Sequence, residues 1–257
     1  MSPTHYRMST RLARHLRNLG CHLPERTLAE QVLATQGLPK AAWVSELLES
    51  LLDGRFERAA AGVGLWEWQY GFPPTGEAIV VLDVETTGFS PESDEIVELA
   101  LIRLENGRCT VFERLVNPGV PIPPFISRLT GLRNQDVRGA ADVYTVLAEA
   151  IPLLDSATLI IQNASFDLGF LQPRLERLGY RLDNPVVDTL DWARKALPRL
   201  SRRGLDMLAW VFDLGPLANR HRALGDVETT LQVAREMYYM LTAGEPIPAS
   251  RLTGKGR

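Results

Sequence analysis

The stretch from Ala78 to Glu85, AIVVLDVE, limits the fold more than any other part of this chain. Its leading apolar run is what a strand buried on both faces requires, and such a strand belongs in the middle of a sheet covered by helices. Asp83 and Glu85 close the run two residues apart, so both side chains leave the strand on one face. Downstream, IVELALIRLENGRCTVFERLV predicts a hairpin turned at Asn106-Gly107, a dipeptide that accepts the positive φ angles of a two-residue turn. VPIPPFIS is held extended by its prolines, residues 141–154 read as a helix, and ATLIIQ reads as a short buried strand. SFDLGFL opens a helix with Ser165 as its cap, while Pro173 predicts a kink or a fresh start and Gly179 an end. PVVDTLDWARKAL predicts a very short strand and then a helix, and a further helix covers Leu205 to Phe212. The last helix runs from about Gly225 to Leu241, with Val227, Leu231, Ala234, Tyr238 and Leu241 on one face. The sum is an α/β domain, a mixed sheet flanked by helices.

GFPPTGE at 71–77 combines glycine with two prolines and reads as a linker. It divides a module at 1–70 from a domain at 78–242, and the tail at 243–257, without apolar periodicity, reads as mobile. An apolar content of 45% and a charged content of 23% place the chain among globular proteins rather than disordered ones. No apolar run reaches the roughly 18 residues of a membrane span. The opening MSPTHYRMSTRLARHL lacks the apolar core of a secretory signal. Cys21 and Cys109 are too few for a disulfide framework. Together these features predict a cytoplasmic protein without a membrane partner. The net charge of −3 does not mark a nucleic-acid binder, but residues 78–242 carry 22 acids against 17 bases, and four of those acids form a constellation.

The four are Asp83 and Glu85, Asp167 in NASFD, and Asp226 in HRALGD, the motif that His221 opens. Each lies where a strand gives way to a loop or helix, the place where an α/β fold gathers side chains. Carboxylates brought together repel unless cations lie between them, and divalent metals with oxygen ligands meet that need. A nearby imidazole, titrating at roughly 6.5 when unperturbed, adds a base, and the set can hydrolyse phosphodiesters. Thr86, Thr87 and Gly88 are small enough to let a substrate backbone approach. His221 and Asp226, five apart, cannot share a helix face, so His221 is expected on a flexible loop before the final helix.

DVETTG, NASFDLGFL and HRALGD, in that order and spacing, resemble the three motifs of the DEDD 3′→5′ exonucleases in their histidine-type (DEDDh) version. The family's proofreading member is the epsilon subunit of bacterial DNA polymerase III. SRLTGL at 127–132 and VVDTL at 186–190 also resemble family segments. The resemblance covers about 78–242 and implies an RNase H-like sheet. It implies that Asp83, Glu85 and Asp226 ligate metal directly, that Asp167 holds a second metal directly or through water, and that His221 is the general base. Two divalent ions, Mg²⁺ or Mn²⁺, are the implied cofactors. Thr86, Thr87, Gly88, Leu129, Thr130 and Asn163 would contact the 3′-terminal nucleotide. The implied reaction releases nucleoside 5′-monophosphates from single-stranded or frayed DNA, in proofreading or repair. The same chemistry on RNA 3′ ends is one alternative, and a non-catalytic polymerase- or clamp-binding adaptor is another. A DNA polymerase or a replication or repair protein is the implied protein partner.

Gln162 stands where family members often carry histidine. Asp188 reads as a helix cap rather than a fifth site acid. Arg194, Lys195, Arg199, Arg202 and Arg203, with Arg220 and Arg222 beside the base, suit either a phosphate-tracking groove or a solvated surface. In the first seventy residues His5, His15, Cys21 and His22 lack metal-ligand spacing. Thr27 to Glu30 reads as a capping box opening a helix, Ala41 to Leu52 as a second helix, and DGRFERAAAGVGLWEW as two short strands. This loosely resembles a winged helix. Arg7, Arg11, Arg14 and Arg17 form a basic stripe on its first helix, suited to duplex contact or protein docking.

Overall fold

Among the described residues, two helices and a hairpin form the N-terminal module. A computed structural model describes residues 3–19, 22–33, 46–47, 50–51, 55–60, 62–65, 72–73, 75–214, 220–243 and 245–253. Helices α1 (Pro3–Leu19) and α2 (Glu25–Val32) pack with the antiparallel strands β1 (Phe56–Ala59) and β2 (Gly62–Leu65) around Leu12, Leu16, Leu28 and Val63. α2 starts two residues before the expected capping box, with Pro24 at its N-cap position and no side-chain cap. Most of the expected helix from Ala41 to Leu52 lies outside the described residues.

The basic stripe of α1 is spent inside the molecule. Arg11 Nε reaches Asp213 at 3.2 Å, Arg14 donates to the Phe212 carbonyl at 2.8 Å, and Arg17 reaches Glu236 at 3.3 Å. Arg55 pairs with Glu236 where both side chains are 1% exposed, and Thr10 donates to the same carboxylate. Arg11, Arg14 and Arg17 are thus engaged within the molecule; the side chain of Arg7 lies outside the described residues.

The second unit is a five-stranded mixed sheet. Its strands are β3 (Ile79–Thr86), β4 (Ile96–Glu105), β5 (Arg108–Leu115), β6 (Thr158–Ile161) and β7 (Val186–Asp188), in the order β5-β4-β3-β6-β7. β3 is central, as its apolar run requires, antiparallel to β4 and parallel to β6. Asn106 and Gly107 take φ of 49° and 73° and turn the β4–β5 hairpin. Six helices follow or flank: α3 (Pro124–Thr130), α4 (Asn134–Val137), α5 (Val143–Leu154), α6 (Ala164–Arg177), α7 (Thr189–Ala196) and α8 (Leu205–Val211), before the closing α9 (Ala223–Thr242). One face of the sheet packs on α9 through Ile79, Val81, Val227 and Ala234, and the other on α5 and α6 through Val80, Leu82, Leu147 and Phe170. Among the described residues no helix is long and apolar enough to cross a membrane.

Three local expectations give way to tertiary packing. α6 runs unbroken through Pro173, because Phe170 and Leu171 before it and Leu175 after it are all buried in one core. Their burial offsets the roughly 3 kcal/mol that an interior proline costs. Ser165 lies inside that helix rather than capping it. Residues 245–253, read as part of a mobile tail, instead pack on the domain: Ala249 is fully buried and Trp192 Nε1 donates to the Leu252 carbonyl at 2.9 Å. Glu77 fastens this return. Its carboxylate accepts from Ala249 N at 2.6 Å, Ser250 N at 3.1 Å and Thr158 Oγ1 at 2.8 Å.

Candidate active site

The pleat of β3 decides where the first two acids point. Odd-numbered residues share the face that packs on α9, so Asp83 and Glu85 leave the sheet toward that helix. Asp226 meets them from the first turn of α9. One carboxylate oxygen from each of Asp83, Glu85 and Asp226 lies within 4.8 Å of the other two. Asp167, in the first turn of α6, is outside that trio. Its carboxylate, 2% exposed, accepts the Val84 N–H at 3.0 Å, and its charge is felt at Asp83.

Asp188 holds the second motif in place. It caps α7 by accepting the Leu190 N–H at 2.8 Å, as expected. It also accepts the N–H groups of Asn163 at 3.1 Å and Ala164 at 3.2 Å, closing the start of the helix that carries Asp167. Asn163 itself sits in the left-handed region at φ 61° and is exposed. Gln162 is a tie as well. It accepts from Thr189 Oγ1 and donates to the Arg203 carbonyl at 3.1 Å, joining the end of β6 to the segment that leads into α8. A neutral amide serves both directions at once.

Glu98, which motif reading passed over, ties the third motif to the sheet. It faces Glu85 across β3 and β4 and is fully buried. Its carboxylate accepts from Arg222 Nε at 3.1 and 3.2 Å, from Arg222 Nη2 at 2.6 Å, and from Ala223 N at 3.0 Å. The segment between His221 and Asp226 is thereby pinned to the sheet. The one signal in the sequence is that Glu98 is the sole charge in the apolar run from Ile96 to Ile102.

Burial and crowding raise Asp83, Glu85 and Asp167. Burial, then repulsion from Asp167 and Glu85, hold the Asp83 carboxyl well above the usual carboxylate range. Burial and the Glu98 charge push Glu85 up to about 7, and burial pushes Asp167 up to about 8 against the opposing Val84 hydrogen bond. Arg220 supplies counter-charge, pairing with Asp226 and, through Nε, with Asp206 at 2.5 Å. His221 stands two residues before α9 at φ 60°, and its backbone N–H faces Asp226 at 3.4 Å. Burial, then the Arg220 cation, lower its pKa, so the imidazole is neutral near pH 7. All-oxygen donors, converging and reluctant to ionise together, are what hard divalent cations fit.

The residues expected at the substrate divide into two groups. The Thr86 hydroxyl donates to the Gly88 carbonyl, and Thr87 donates to Asp94 and accepts from Glu95 N, so both side chains build the loop that follows β3. Gly88 is needed for that loop: a Cβ there would lie 2.4 Å from the Asp94 carboxylate oxygens. Thr130 is buried and tied to Ile126 and Leu132. Leu129 is exposed, and with Phe89 and Phe125, whose rings lie 6.1 Å apart, it offers open apolar surface. Phe166 packs on Phe170 at 5.1 Å.

A sequence model of the exonuclease family (RNase_T) matches residues 80–234, more than half of the chain, and contains every acid of the site. The chain belongs to that family. The chain is 36% identical over 159 residues to the PolC-type DNA polymerase III of Caldanaerobacter subterraneus subsp. tengcongensis, covering 62% of the chain and 11% of the relative. It is 38% identical over 157 residues to the 3′-5′ exonuclease DinG of Bacillus subtilis, covering 60% of the chain and 17% of the relative. The chain thus spans a small part of the length of these relatives. Solved structures share the fold. Exonuclease I superposes with a TM-score of 0.54 at 23% identity, over 65% of this chain and 43% of that one. Exonuclease X, solved with 5′ overhanging duplex DNA, gives 0.51 at 24%, over 65% and 93%.

Proposed function

We propose that this exonuclease removes nucleotides one at a time from the 3′ end of single-stranded or frayed DNA and releases nucleoside 5′-monophosphates. The observation that carries the reading is the meeting of Asp83, Glu85 and Asp226 from two elements at one point, with Asp167 behind them. Asp83, Glu85 and Asp226 would hold the cations directly and Asp167 would serve a second one. Mg²⁺ or Mn²⁺ bound there would supply Lewis acidity at the scissile phosphate. His221, neutral near pH 7, accepts the proton of the attacking water on an unprotonated ring nitrogen. Leu129, with Phe89 and Phe125, gives the terminal base an apolar seat, while Thr86 to Gly88 contribute backbone alone. Similarity to PolC-type polymerases and to DinG supports DNA over RNA, and a replication or repair protein as partner.

The test is a 5′-labelled oligonucleotide, DNA or RNA, incubated with Mg²⁺ or Mn²⁺. A ladder shortening from the 3′ end on DNA, lost in EDTA and in Asp83→Ala, is the expected result. His221→Ala should lower kcat by about 10²–10⁴-fold while Mn²⁺ binding changes little. A ladder on RNA alone reassigns the substrate. No ladder on either polymer refutes the activity.

A further inference from the structure

We propose that Trp210 is a base-stacking platform for the single strand on the 5′ side of the nucleotide being removed. The inference rests on the nuclease reading above, which sets the strand's direction. Tryptophan is among the most buried residue types on average, yet Trp210 is 71% exposed. Among the described residues its ring meets no aromatic neighbour and its Nε1 no acceptor. α8 buries Leu205, Leu208 and Ala209 and turns Asp206 and Trp210 outward. These two are four residues apart, so they occupy one face a single turn from each other.

That face is connected to the carboxylate centre. Asp206 accepts from Arg220, and Arg220 pairs with Asp226. The path from the site outward therefore runs Asp226, Arg220, Asp206, Trp210. The surface leading into α8 is basic. Lys195, Arg199 and Arg202 are exposed and have no side-chain partner among the described residues, whereas Arg194 is engaged by Asp191. Gln162 binds the Arg203 carbonyl and so anchors this segment to the sheet. Exposed cations on the segment that leads to a helix with an exposed indole match a polyanion whose bases need a flat apolar surface, which is how single strands are held without sequence preference.

Stacking of one base is worth about 1–3 kcal/mol, so Trp210→Ala should raise KM on an oligothymidylate of about fifteen residues by roughly five-fold or more. Turnover should be kept, and Trp210→Phe should restore most of the loss. Hydrolysis of the p-nitrophenyl ester of thymidine 5′-monophosphate, too short to reach α8, should be unaffected. Titration of the full chain with the same oligonucleotide in EDTA should quench tryptophan emission, and the quench should vanish in Trp210→Phe. Unchanged KM and unchanged quenching would overturn the proposal and leave the indole to a protein partner. Equal losses on ester and oligonucleotide would also overturn it, as general damage. Quenching that depends on Trp210 in a chain that cleaves nothing would uphold this platform while refuting the exonuclease reading.

Discussion

Asp83, Glu85 and Asp167 are under strain as charges. Glu85 loses its proton at about 7 and Asp167 at about 8, whereas ordinary values are 4.5 and 3.8. A carboxyl raised in the folded state keeps its proton where the unfolded chain has already released it. Folding stability therefore falls as pH rises between the two values, here from about 4 to about 8. Thermal melts in EDTA should show the melting temperature dropping across that window, and excess Mg²⁺ at pH 8 should reverse the drop by replacing protons with cations. Glu85→Gln with Asp167→Asn should flatten the EDTA slope. A flat slope in the parent chain would mean that the acids are not held in the proximity described.

Among the elements, α9 and β4 show how the third motif is delivered. Glu98 anchors Arg222 and the N-terminus of α9, and Arg222 lies between His221 and Asp226. Glu98→Gln preserves size and removes the charge that the guanidinium needs. We expect kcat to fall by roughly 10²-fold through displacement of His221 and Asp226, with a stability loss on the order of 1–3 kcal/mol. Full activity in steady-state assays would show that the anchor is dispensable. The elements themselves were largely legible. The apolar run of β3, the Asn106-Gly107 turn and the cap at Asp188 each follow from chemistry within a few residues. Pro173, Glu98 and the second grip of Asp188 on Asn163 and Ala164 did not, because their meaning depends on partners 24 to 125 positions away or on burial to either side.

Across the whole molecule, the N-terminal module and the exonuclease unit meet at a charge with no access to water. Glu236 of α9 lies 1% exposed against Arg55, with Arg17 and Thr10 beside it. Removing one partner of such a pair strands the other, so Arg55→Met should destabilise the chain by on the order of 3 kcal/mol. Arg55→Met with Glu236→Leu should recover most of that loss, since the site is then uniformly apolar. Chemical denaturation of the single and double variants reads both numbers. A single variant as stable as the parent would show that the two units do not depend on this contact. None of this was visible beforehand. Glu236 lies opposite the apolar face read for the last helix, and its partners come from a module outside the stretch that resembles the exonuclease family.

The clasp at Glu77 bears on how such a unit travels between proteins. Its carboxylate touches both the residue pair that closes the domain, Ala249 and Ser250, and the strand that follows α5 at Thr158. Where the chain enters and where it leaves are thus neighbours in space. Domains with adjoining ends can be spliced into a longer polypeptide with little disturbance to the host. The stretch that matches the exonuclease family, residues 80–234, lies between the two edges that Glu77 stitches together.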